Sequence, residues 1–262
     1  MPHPFLEHIL YINLESRVDR HVHTVNELRK LRPPKGFERF PAICPKSGNG
    51  ALGCTLSHIK CLEMAKTRKY PYVFICEDDI TFLQPDVLLE KLQEFWDKPP
   101  AAGWDVLIIG GNNCPPFEAF SNYAIQVHNC QTTTGYIVAQ SYYDTLITNF
   151  KESALNLMKH PENRREYALD IYWKALQQPA DSRWYMIIPL TVTQYQNYSN
   201  IENRETNYDH LMLDLEKRAL FGPPDEQYIK TMRSLERNPR RGDPAMLTYE
   251  YWRNKISENT EN

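Results

Sequence analysis

Long apolar runs are missing from this chain: no stretch approaches the roughly 20 residues needed to span a bilayer. No membrane span is expected. The opening "MPHPFLEHILYINLESRVDR" offers too short an apolar segment and the wrong flanks for a secretory signal, so a soluble, cytoplasmic protein is expected. A large excess of one charge sign is lacking as well. Thirty Lys and Arg face 33 Asp and Glu, a formal net charge of −3, which leaves no electrostatic footprint for nucleic acid and no basic run for an anionic membrane. Cysteine spacing for a metal finger is absent too. Cys44, Cys54, Cys61, Cys76, Cys114 and Cys130 lie scattered, mostly inside apolar elements and without a CxxC pair. They read as reduced core residues, which favours a reducing compartment.

What is present is ordinary globular material. At 262 residues and 42% hydrophobic content, the chain can bury a sizeable core as one domain with an appendage. Strands and helices alternate along it. "HILYIN" is a strand and the polar segment after it, up to Pro33-Pro34, a helix; "FERFPAI" is a second strand. In "GALGCTLSHIKCLEMAKTRKY", Leu52, Leu56, Ile59 and Leu62 recur at helical spacing and make a core stripe. "YVFICEDD" and "WDVLIIGG" are buried strands separated by the helix "DVLLEKLQEFW". "YAIQVHN", "TTTGYIVAQ" and "WYMIIP" read as further strands, and "SYYDTLITNF" and "REYALDIYWKALQQ" as further helices. Such alternation implies a mostly parallel α/β sheet with ligands beyond the carboxyl ends of its strands.

Glu77, Asp78 and Asp79 occupy one of those ends. Three adjacent carboxylates repel one another, and burying one is costly without compensation. A hard divalent ion with oxygen ligands supplies it; a solvated turn whose acids cap the next helix is the alternative.

Taken together, "YINLESRVDR", "GALGCTLSHIKCLEMA" and "YVFICEDDI", in that order and at these separations, resemble glycosyltransferase family 25. That family includes bacterial lipopolysaccharide sugar transferases and collagen galactosyltransferases. Its pattern is a strand ending in I-N-L followed by R-x-D-R, a G-x-x-G-C-x-x-S-H helix, and a strand closing on E-D-D. The likeness continues more weakly through "TTTGYIVAQSYYDTL", "LDIYW" and "PLTVTQYQNYSNI", covering roughly residues 8 to 203.

The resemblance implies a GT-A type fold and a metal-dependent enzyme. It would move a hexose, galactose or glucose, from a UDP-sugar to a hydroxyl of a glycan, lipopolysaccharide or hydroxylysine-type protein acceptor, with inversion. Manganese or magnesium is the implied cofactor. By analogy Asp79 is the metal ligand, Asp78 a ribose contact, and Glu77 a base or ribose contact. Asn13 and Arg17, beside the first strand, are candidates for the nucleotide; Arg17 serves equally to fasten the helix start with Asp19 and Arg20. Ser57 and His58 belong to the signature and are donor-site candidates, although a histidine facing Cys54 and Cys61 also reads as a core residue. Asp170 matches the position of an acidic residue in relatives and is either the catalytic base or a helix cap. Asn200 stands where relatives often carry Asp, which leaves the third metal ligand open.

Two other classes stay in view: a catalytically inactive nucleotide-sugar or glycan-binding module, and a metal-dependent phosphohydrolase. The latter normally holds two ions, and no second acidic cluster stands at a comparable strand end. The chain divides into a transferase domain over 1–204 and a mostly helical extension over 205–262 packed on it.

Overall fold

A computed structural model describes residues 3–199, 201, 204–215 and 217. Its elements, in chain order, are β1 (Ile9–Asn13), α1 (Val18–Lys30), β2 (Glu38–Pro41), α2 (Gly50–Thr67), β3 (Tyr72–Glu77), β4 (Ile80–Phe82), α3 (Pro85–Asp97), β5 (Val106–Asn113), β6 (Phe117–Ala119), β7 (Ala124–Val127) and β8 (Cys130–Ala139). There follow α4 (Tyr143–Lys159), α5 (Arg164–Tyr167), α6 (Leu169–Tyr172), β9 (Trp184–Ile187), β10 (Val192–Gln194), β11 (Asn197–Ser199), β12 (Arg204–Thr206) and α7 (Asp209–Met212).

Eight strands form one sheet in the order β2-β1-β3-β8-β5-β9-β7-β6. The β1–β2, β1–β3 and β5–β9 pairs are parallel, whereas β8 is antiparallel to both its neighbours and β7 to both of its own. Six strands therefore run one way and only β7 and β8 run against them. The expected mostly parallel direction holds, with these reversals inside it.

Side chains alternate across the sheet with a period of two. Leu10, Ile12, Val73 and Ile75 point into a core shared with Leu52, Ile59 and Leu62 of α2 and Leu146 and Phe150 of α4. Ile9, Tyr11, Phe74 and Cys76 point into a second core with Leu28 of α1 and Leu88, Leu92 and Phe95 of α3. Helices on both faces explain why these strands read as continuous apolar runs. No described cysteine is in a disulfide, and Cys61, Cys76 and Cys130 are buried.

Three features differ from the sequence expectation. The helix expected through "REYALDIYWKALQQ" breaks at Ala168, whose ψ is 143°, into α5, α6 and a 3-10 turn at Trp173–Gln177. The break lets Leu169 and Trp173 enter the core, where the Trp173 indole N–H donates to the Cys130 carbonyl at 2.8 Å. A two-stranded β4–β10 ribbon also forms directly after the acidic residues. Finally, the expected helical extension falls mainly outside the described residues; within them lie β12 and the single turn of α7. No helix among the described residues is long and apolar enough to cross a membrane.

Candidate active site

One edge of the sheet gathers the carboxyl ends of β1, β2, β3 and β5, while the reversal of β8 brings its start, Cys130 to Thr133, to the same edge. There a cavity of about 710 Å³ opens, lined among others by Arg17, Arg20, Gly53, Cys54, Glu77, Asp78, Asp79, Asn112, Thr132, Thr133, Arg164 and Asp170. Register fixes the acids in place, since Ile12 of β1 lies opposite Glu77. Asp78 and Asp79 then occupy the turn between β3 and β4, each 8% exposed.

The three carboxylates have different surroundings. Asp78 is clamped from both sides: Asn13 Nδ2 donates to Oδ2 at 2.7 Å and Arg20 Nη1 to Oδ1 at 2.8 Å. The same Arg20 nitrogen reaches Asp79 Oδ2 at 3.1 Å. Asp79 Oδ1, by contrast, is buried with no hydrogen-bond partner. Burial, with Glu77 close by, pushes the Asp79 carboxyl up to about 7. Burial would raise Glu77 too, but His58 and the Thr133 hydroxyl, which donates to Glu77 Oε1 at 2.5 Å, hold it below the usual carboxylate range.

Arg20 thus leaves the cluster in which the sequence placed it. Arg17 pairs with Asp19 at 2.9 Å and also donates to the Tyr198 carbonyl at 3.0 Å, whereas Arg20 turns inward to the acidic pair. It is the cavity residue that sequence reasoning undervalued; its spacing from Asp19 gave no sign of a partner 58 positions away.

The other candidates sort by what they touch. Asn13 is fully buried and reaches Asp78 and the Arg17 carbonyl, so it sets the acid's orientation from behind the cavity wall. Ser57 also lies behind the wall: its hydroxyl accepts from Ile43 N at 2.8 Å and donates to the Gly53 carbonyl at 2.7 Å, tying the segment after β2 to α2. Gly53 is required there, because a Cβ would press into the Ile43 carbonyl oxygen and lie 2.8 Å from Pro45 Cδ. His58 is wholly buried, with Nδ1 2.7 Å from the Tyr136 hydroxyl and Nε2 3.5 Å from Glu77 Oε1. Asp170 does line the cavity, in the first turn of α6, where its Oδ2 accepts from Thr132 N at 3.1 Å. Burial pushes its carboxyl up, and that N–H only partly offsets the push. Asn200 lies outside the described residues.

The sequence profile of glycosyltransferase family 25 (LPS biosynthesis protein) matches residues 48–102. Over that stretch the chain is similar to family-25 glycosyltransferases. The matched segment holds α2, β3 and all three acids, so the transferase class rests on residues that build the cavity. No curated protein matches the chain closely enough to count. Among solved structures, one is a glycosyltransferase involved in the glycosylation of the major capsid of PBCV-1, at 11% identity and a TM-score of 0.43 over 68% of this chain and 79% of that one. Another is A197 from STIV, at 9% identity and 0.41 over 79% and 94%. A putative glucose-1-phosphate thymidylyltransferase from Bacillus anthracis follows at 9% and 0.34 over 90% and 78%. With TM-scores below 0.5, these likenesses carry no weight for function.

Proposed function

We propose that this protein is a family-25 transferase that moves a hexose, galactose or glucose, from a UDP-sugar to a hydroxyl of a glycan or protein acceptor, with a divalent cation and with inversion. The observation that carries the reading is Asp79 Oδ1: a buried carboxylate oxygen without a hydrogen bond, on a residue lining a cavity large enough for a nucleotide sugar. Hard oxygen donors that crowd and repel one another suit manganese or magnesium. Asp79 would hold the ion. When bound, it supplies positive charge to the diphosphate leaving group.

The remaining roles fall to the chain itself. Asn13 and Arg20 keep Asp78 fixed, so that it can accept from a ribose hydroxyl without reorganising. Arg20 adds a resident positive charge beside the phosphates' expected position, and Arg17, also on the cavity wall, is placed for the nucleotide. Asp170 also lines the cavity, held by Thr132 N. A carboxylate whose pKa is raised is a stronger base, suited to take the proton of an attacking acceptor hydroxyl.

The test is a panel of UDP-sugars, each with manganese, with chelator, and with candidate glycan or hydroxylysine acceptors, read out as UDP release. Manganese-stimulated UDP release, greater with one acceptor, is expected from UDP-galactose or UDP-glucose. Absence of any UDP-sugar turnover combined with phosphate release from simple phosphate esters would replace this reading with a phosphohydrolase.

A further inference from the structure

Behind the acidic pair three donors of different chemistry converge. Cys54 and His58 lie four residues apart in α2 and therefore on one helix face. Glu77 closes the group from the end of β3, and the Cys54, His58 and Glu77 donor atoms all lie within 4.8 Å of one another. His58 Nε2 is 3.5 Å from Glu77 Oε1, and Cys54 Sγ is 3.9 Å from the same oxygen. In tetrahedral zinc the ligand atoms stand about 3.3–3.8 Å apart, given bonds of about 2.0–2.3 Å. Two of the three separations are already at or next to that range.

A second observation points to a ligand. His58 is 0% exposed, and its Nε2 makes no hydrogen bond; Glu77 Oε1 stands 3.5 Å away, in charge contact but beyond good bonding distance. A buried imidazole nitrogen without a partner is costly unless something occupies its lone pair. The other ring nitrogen, 2.7 Å from the Tyr136 hydroxyl, has the outer partner that metal-bound histidines ordinarily keep. Cys54 lines the cavity, so a fourth position would open toward ligand and solvent.

We propose that Cys54, His58 and Glu77 form a site for a borderline-soft divalent ion, zinc above all, next to the acidic pair and distinct from it. A thiolate, an imidazole and a carboxylate select such an ion, whereas the all-oxygen environment of Asp79 selects a harder one. On binding, the Cys54 thiol proton leaves to solvent and an Sγ–metal bond takes its place. His58 gives its Nε2 lone pair and Glu77 one carboxylate oxygen, loosening the hold of Thr133 on that carboxylate. The site needs neither a nucleotide sugar nor an acceptor, so it stands or falls independently of the transfer reaction.

The test titrates the metal-free full chain with Co²⁺ and then Zn²⁺. One thiolate-bound Co²⁺ per chain is expected, with the sulfur-to-cobalt charge-transfer band and the intense visible bands of four-coordinate cobalt, both lost when Zn²⁺ displaces it. Cys54→Ser, a one-atom change whose folding is checked by circular dichroism and melting, should remove the charge-transfer band. Tyr136→Phe should weaken binding by about 10–100-fold, as for other outer-shell partners. Asp79→Ala should leave the sulfur-to-cobalt charge-transfer band unchanged, since Asp79 is not one of the three donors. The proposal is overturned if the parent chain gives no thiolate band, if the band survives Cys54→Ser, or if Asp79→Ala abolishes it.

Discussion

At the scale of single residues, the protein's unusual feature is an acid whose ionisation is opposed by burial and by a neighbouring carboxylate. Asp79 is pushed up to about 7 by burial and by Glu77, while Arg20 is shared with Asp78. The unfolded chain releases this proton near 4, so between about 4 and 7 the folded state binds more protons than the unfolded one. Stability must therefore fall as pH rises through that window and stay low above it. Asp79→Asn should be the more stable protein at pH 8, by a few kcal/mol, and the difference should vanish near pH 4. Manganese should raise the parent's melting temperature above pH 7 and leave that of the variant unchanged. Thermal melts across pH, with and without the metal, decide it; a variant no more stable than the parent at pH 8 shows that Asp79 is already compensated.

Asp170 permits a separate residue-scale prediction. Asp170→Asn keeps the acceptor for Thr132 N but cannot take a proton at neutral pH. Turnover should drop by roughly 10²–10⁴-fold while UDP affinity barely changes. Calorimetry that found UDP binding lost along with turnover would make Asp170 a donor-site or structural residue.

At the scale of elements, the sequence made legible whatever depends on local pattern. The run from Tyr72 to Cys76 ending in acids, and the Leu52–Ile59–Leu62 stripe, gave β3 and α2. Direction was not legible in β8, because a strand buried on both faces reads the same whichever way it runs. Nor was the break at Ala168, since "REYALDIYWKALQQ" is good helical sequence and only the pull of Trp173 into the core interrupts it. The acidic pair could be seen, but the Arg20 that neutralises it could not. Ser57 shows the same limit. Its signature position suggested the donor, yet its hydroxyl joins Ile43 to Gly53 inside the fold. Ser57→Ala should thus lower stability by about 1–3 kcal/mol by leaving the Ile43 N–H without its acceptor, with UDP affinity of the folded protein unchanged. Weaker UDP binding at unaltered stability would return Ser57 to the donor site.

At the scale of the whole molecule, the described residues after β10 add to the cavity wall. Arg17 and Arg20 hold the Tyr198 carbonyl, and Arg164 Nη1 donates to that of Ile201 at 2.5 Å. β11 and β12 pair as a small hairpin, after which Thr206, Tyr208 and Leu211 line the cavity. The segment is anchored by the Thr193 hydroxyl, which donates to Asp209 at 2.6 Å, and by Met212, 1% exposed. Three residues assigned from sequence to the extension, Thr206, Tyr208 and Leu211, thus line the cavity. Truncation after Asn203 removes the Met212 burial and the Thr193 partner, a loss of about 2–4 kcal/mol, and it uncovers apolar surface that favours aggregation. The truncated chain should melt earlier than the parent, lose solubility, and bind UDP more weakly through loss of the wall at Tyr208 and Leu211. Melting, light scattering and UDP calorimetry on the two chains check this together. A truncated protein that melts like the parent, stays soluble and loses only the use of an acceptor would make the segment an acceptor-binding element with no part in holding the fold.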